Sequence, residues 1–116
     1  MKRNLMLLTL LALCALAGAQ QPEDPFYNDI RAFKKQDSIQ PPPRHAILFV
    51  GSSSFTRWTD VQDYFPKHRI INRGFGGSTL QDVIRYAGDI ITAYHPKQVV
   101  IYCGENDLAA SDTYLQ

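Results

Sequence analysis

The sequence predicts an α/β domain in three layers, a parallel sheet with helices on both faces. Two observations carry that expectation. Ile47-Leu48-Phe49-Val50 is a continuous apolar run bounded by Gly51, the composition of a strand buried on both sides, and Val99-Val100-Ile101-Tyr102 makes a further strand. Between them, from Leu80 to Tyr94, apolar residues recur at helical spacing. A third observation bears on function. Gly51-Ser52-Ser53-Ser54, Asn72-Arg73-Gly74-Phe75-Gly76-Gly77-Ser78 and Gly104-Glu105-Asn106-Asp107 each follow a strand-like run directly. In an open parallel sheet the carboxyl ends of the strands line one crevice, so the three motifs are expected to meet.

Residues 1–19 read as a secretory signal peptide. Lys2 and Arg3 precede an apolar run from Leu5 to Leu16, and Ala17-Gly18-Ala19 forms a small-residue cleavage site. The run is shorter than the roughly 20 residues a spanning helix needs. Cleavage after Ala19, a secreted or periplasmic location and no stable membrane insertion are the expectations. Residues 20–43 then form a polar leader, a short amphipathic helix marked by Phe26, Ile30 and Phe33, and a stiff Pro41-Pro42-Pro43 linker.

The main domain occupies residues 44–116. Its first strand is Ile47–Val50. Thr59 is expected to cap a short helix that turns Trp58, Val61, Tyr64 and Phe65 inward and stops at Pro66. Ile70-Ile71 opens the second strand. Ser78 and Gln81 have capping-box spacing, so Ser78 is expected to cap one long helix. That helix presents Leu80, Val83, Ile84, Ala87, Ile91 and Tyr94 on one face and ends near His95-Pro96. Val99–Tyr102 is the third strand, completing a βαβαβ pattern.

Composition excludes several functions. Twelve basic and eleven acidic residues, with no basic stripe, argue against a nucleic-acid or anionic-lipid partner. Cys103 is the only thiol left after cleavage, so no internal disulfide forms. The glycine spacing Gly74-x-Gly76-x-x-Thr79 lacks the third glycine of a dinucleotide loop, and no Gly-Lys-Ser/Thr signals a P-loop. Glu105 and Asp107 without a histidine are a thin metal set, and no metal or cofactor is expected.

Each motif has a plain structural alternative. The serines after the first strand can cap a helix, as can Asn106 or Asp107. Functionally, a serine on that turn can serve as a nucleophile once a base activates it. Glycines permit close approach of backbone N–H groups to a ligand, and an asparagine amide can donate to an oxyanion without adding charge.

In this order the motifs resemble the SGNH (GDSL-type) hydrolase superfamily, especially its small esterase branch similar to platelet-activating-factor acetylhydrolase subunits. The resemblance spans roughly Ala46 to Leu108 and implies a flavodoxin-like three-layer fold. By it, Ser53 matches the nucleophile, Gly77 the oxyanion-hole glycine and Asn106 the oxyanion-hole asparagine, with the Ser53 N–H a further donor. The implied substrate is a small-molecule or carbohydrate ester. Two departures stand out. Ser52 occupies the position usually held by Asp, which leaves the register open among Ser52, Ser53 and Ser54. The last family block, Asp-x-x-His, is missing before Gln116.

His45, His68 and His95 each precede a strand, at the edge opposite the motifs. A strand of four to six residues spans roughly 13–20 Å, whereas a general base must lie within about 3 Å of the hydroxyl. The expectation is a domain truncated at its carboxyl end, a serine esterase that is inactive as given. A non-catalytic binding module derived from the same fold, or a structural domain whose motifs are only caps, are the alternatives.

Overall fold

The computed structural model describes residues 24–110. The expected signal peptide, its cleavage site and the first residues of the leader lie outside them. Among the described residues ten elements follow in order: α1 (Tyr27–Ile39), β1 (Ile47–Gly51), α2 (Ser53–Arg57), α3 (Val61–Tyr64), β2 (Ile70–Gly74), α4 (Leu80–Arg85), α5 (Ala87–Ile90), a 3-10 turn (Thr92–Tyr94), β3 (Gln98–Tyr102) and α6 (Glu105–Ala110). The strands form one parallel sheet in the order β2-β1-β3. Its register sets Gly51 opposite both Gly74 and Tyr102, so the three strands end level. An α/β architecture with helices on both faces of a three-stranded parallel sheet is therefore what the chain adopts.

Alternation along β1 divides the core. Leu48 and Val50 point to one face, where Ile71, Phe75, Val83, Ile90, Tyr94 and Ile30 of α1 enclose them. Phe49 points to the other, against Phe55 and Val61, with Trp58 and Phe65 packed around. Phe49 meets Phe55 edge-on at 5.0 Å between ring centroids, a favourable aromatic geometry. Burial of such side chains, worth roughly 1.5–3 kcal/mol each, is what holds these short helices, since helices this brief do not persist alone. Among the described residues no helix is long and apolar enough to cross a membrane.

Three local expectations are corrected. The capping hydroxyl of α4 belongs to Thr79, which accepts from Asp82 N at 3.3 Å while Asp82 Oδ2 accepts from Thr79 N at 2.8 Å. Ser78 is instead fully buried and donates its hydroxyl to the Gly51 carbonyl at 3.2 Å. The single helix expected over Leu80–Tyr94 is broken into α4, α5 and the 3-10 turn. Gly88 and the β-branched Ile90-Ile91-Thr92 are weak helix formers. The breaks rotate the buried set to Val83, Ile90 and Tyr94, leaving Leu80 and Ile84 exposed. In the α2–α3 segment, Asp60 rather than Thr59 precedes α3, and Tyr64 is exposed although its ring meets Trp58 at 5.4 Å.

Candidate active site

The level carboxyl ends of the strands bring the three motifs to one edge. β1 ends at Gly51, whose φ of +150° is a conformation side chains rarely adopt. A Cβ there would lie 1.9 Å from the Tyr102 carbonyl oxygen, so only glycine lets β1 and β3 close together at this point. Ser52 N donates to that same carbonyl at 3.2 Å, which turns the chain out of the sheet. Ser52 is buried, Ser53 half-buried and Ser54 exposed. Ser53 thus opens α2 at the rim of the crevice, where the first N–H groups of a helix have no intrahelical partner.

The glycine turn after β2 reaches back over Ser53. Phe75 N donates to the Gly51 carbonyl at 2.9 Å, and Ser78 N to the Phe75 carbonyl at 3.3 Å. Gly77, at φ +85°, then directs its N–H to Ser53 Oγ at 3.2 Å. Asn72 fixes the start of this turn: its Nδ2 donates to the Phe55 and Trp58 carbonyls at 2.7 and 3.2 Å, and its Oδ1 accepts from Gly74 N at 2.9 Å.

The third motif fastens to the same turn. Asn106 Nδ2 donates to the Ser78 carbonyl at 2.9 Å, which uses one of its two N–H bonds and leaves the other. The Asp107 carboxylate accepts from Leu80 N with both oxygens, at 3.1 and 3.0 Å. Ser53, Gly77 and Asn106 are therefore gathered around residues 77–78. The alternative in which Asn106 caps a helix fails, because it lies inside α6.

Electrostatics narrows the choice of nucleophile. Burial, then the charges of Asp107 and Glu105, push the Cys103 thiol pKa up, which keeps it from forming the thiolate that makes cysteine reactive. The hydrogen bond to Glu105 and then its charge hold the Tyr102 phenol protonated, with an opposing pull from Ser54. Both shifts favour the neutral, protonated form of the side chain. His45 and His95 sit at the opposite edge, joined by a 3.3 Å bond from His45 N to the His95 carbonyl, and His68 lies in the turn before β2.

No family model, curated protein or solved structure matches the chain. The site's reading accordingly rests on its own geometry. Sequence reasoning missed two of its members. Asp107 was visible as a cap or a metal ligand, but its partner Leu80 N is 27 residues away and belongs to another element. Ser78 has the spacing of a helix cap, since Ser78 with Gln81 fits that motif as well as Thr79 with Asp82.

Proposed function

We propose that this crevice is the acyl-transfer half of a serine esterase site of the SGNH type, acting on small-molecule or carbohydrate esters. The observation that carries the reading is the 3.2 Å bond from Gly77 N to Ser53 Oγ, with the Asn106 amide fastened one residue further at Ser78. A hydroxyl already facing a backbone donor is placed so that an ester carbonyl attacked by it would put its oxygen near the same donor. Ser53 Oγ bonds to the carbonyl carbon and its proton passes to a base. The tetrahedral oxyanion is held by N–H groups of Ser53, Gly77 and Asn106. Collapse expels the alcohol, which takes the proton, and water hydrolyses the acyl-serine.

Among the described residues no histidine stands at this edge to serve as the base. In the proposed enzyme a histidine of an Asp-x-x-His block supplies it, as the SGNH resemblance implies. In an enzyme carrying that block, Ser53→Ala abolishes hydrolysis of a short aryl ester, whereas Ser52→Ala and Ser54→Ala retain most of it. A fluorophosphonate probe labels Ser53, mapped by mass spectrometry. Label on Ser54 alone, or unchanged turnover in Ser53→Ala, overturns the assignment.

The placement of all three histidines at the far edge favours a second reading, a binding module that keeps the crevice without the chemistry. Saturable binding of an intact ester with no turnover by an Asp-x-x-His-bearing form would select it.

A further inference from the structure

The glycine turn is the part of the site with the greatest backbone freedom by composition. Gly76 and Gly77 are both exposed, and a peptide between two glycines can rotate with little steric penalty. Gly77 N–H serves as a donor only if that peptide stays oriented. From inside, Ser78 and Asn106 hold the following residue, as described above. From outside, the turn meets a residue fifty positions earlier in the chain.

The Phe26 ring lies edge-on to Phe75 at 5.2 Å, and Phe75 is fully buried and edge-on to Tyr86 at 6.1 Å. Phe26 Cε1 lies 4.0 Å from the point a Cβ on Gly77 would occupy, so the ring stands about a methyl group's width off Gly77 itself and touches the turn through Phe75. The ring is itself anchored. Phe26 N donates to Asp24 Oδ1 at 3.1 Å, while Asp24 Oδ2 pairs with Arg85 Nη2 at 3.1 Å and accepts from the Tyr86 hydroxyl. Asp24 thus ties the start of the arm to the end of α4, and Phe26 packs on Phe75 of the turn that precedes α4. α1 is pinned further along by Lys34 to Asp89 at 2.6 Å and by Asp37 to Arg73.

We propose that the arm Asp24–Phe26 is a buttress for the glycine turn, with Phe26 the positioning residue that keeps the Gly77 N–H directed at Ser53. The inference rests on the hydrolase reading for its catalytic meaning, but its physical content is the coupling between Phe26 and the Gly77–Ser53 bond.

The test is a double-mutant cycle read by nitrogen–proton correlation spectra of the full chain. In the wild type, Ser53→Ala removes the acceptor at 3.2 Å and shifts the Gly77 amide resonance. In a Phe26→Ala background the same change shifts it by about half as much or less, since coupled residues do not add. Phe26→Leu restores the shift. Phe33→Ala, which removes a ring of α1 that packs on the same core but lies against the Arg73 guanidinium instead of Phe75, leaves it as in the wild type. Should Phe26→Ala not fold, Asp24→Asn loosens the arm without touching the core and carries the same expectation. A full Ser53-dependent shift in the Phe26→Ala background, or in Asp24→Asn where Phe26→Ala does not fold, overturns the proposal, as does an equal loss of the shift in Phe33→Ala. Absence of Ser53-dependent turnover in a form bearing the Asp-x-x-His block would remove the hydrolase reading while leaving the spectral coupling to be decided separately.

Discussion

The two outer strands of the sheet are finished to different degrees. On β2 three of the backbone groups that face away from β1 are bonded to side chains: Ile70 N donates to Gln62 Oε1 at 2.9 Å, Gly74 N to Asn72 Oδ1 at 2.9 Å, and the Asn72 carbonyl accepts from Arg73 Nη1 at 2.8 Å. Its inner face carries Arg73, 6% exposed, whose guanidinium pairs with Asp37 at 2.5 Å and donates to the Tyr94 hydroxyl at 2.7 Å. β3 has the apolar composition of an interior strand, yet among the described residues Ile101 is 52% exposed and Tyr102 49%. An edge whose amides are consumed by its own side chains resists pairing with another strand, whereas a bare apolar one invites it. The same sheet thus has one closed side and one open side, and the candidate site lies across both.

The largest effect should come from breaking the closed side at its charge. Arg73→Met leaves the Asp37 carboxylate without its cation and is expected to cost about 3–5 kcal/mol, read as a fall in unfolding free energy in urea. A loss below about 1 kcal/mol would mean that β2 is not held through this pair. Asn72→Ala leaves the Phe55 and Trp58 carbonyls and Gly74 N without their partner, and is expected to cost about 2 kcal/mol. Because Asn72 also sets the start of the glycine turn, its removal should disturb the Gly77 amide resonance as well.

The closed side should also carry an alkaline signature. Burial, and then the hydrogen bond to Asp37, hold the Tyr94 pKa at about 12 in place of its ordinary 10.0. Folding therefore favours the neutral phenol. The contribution is complete below pH 10 and is lost as pH rises through 12, because the unfolded chain releases the proton first. Unfolding midpoints at rising pH should fall across that window, and Tyr94→Phe should flatten the fall.

On the open side the expected effects are smaller. Asp107→Ala removes the acceptor of Leu80 N and should cost about 1 kcal/mol, while Asp107→Asn, which keeps one carbonyl oxygen, should cost less. Ile101→Lys should change stability by under about 0.5 kcal/mol and reduce self-association in sedimentation experiments. A large destabilisation by Ile101→Lys would show that β3 is more closely packed than its exposure indicates.

Strand positions were legible because continuous apolar runs bounded by glycine admit few other structures, and β1 and β3 appear within a residue of their expected limits. The course of the chain from Leu80 to Tyr94 was not, since apolar residues are frequent enough there to fit one helical face or three short segments equally well. Packing against Leu48 and Val50 selected the segments.

The sequence by itself determined the alternation of strands and helices and the placement of a polar motif after each strand, because those follow from local composition and period. It determined that Ser53, Gly77 and Asn106 share an edge once the strands are parallel. Only the tertiary structure decided which groups touch there. Gly77 N meets Ser53 Oγ, Asn106 meets Ser78, and Phe26 meets Phe75 of the turn. These pairs join residues 24 to 49 positions apart, and no local propensity encodes a contact whose geometry is set by how two layers pack on a sheet.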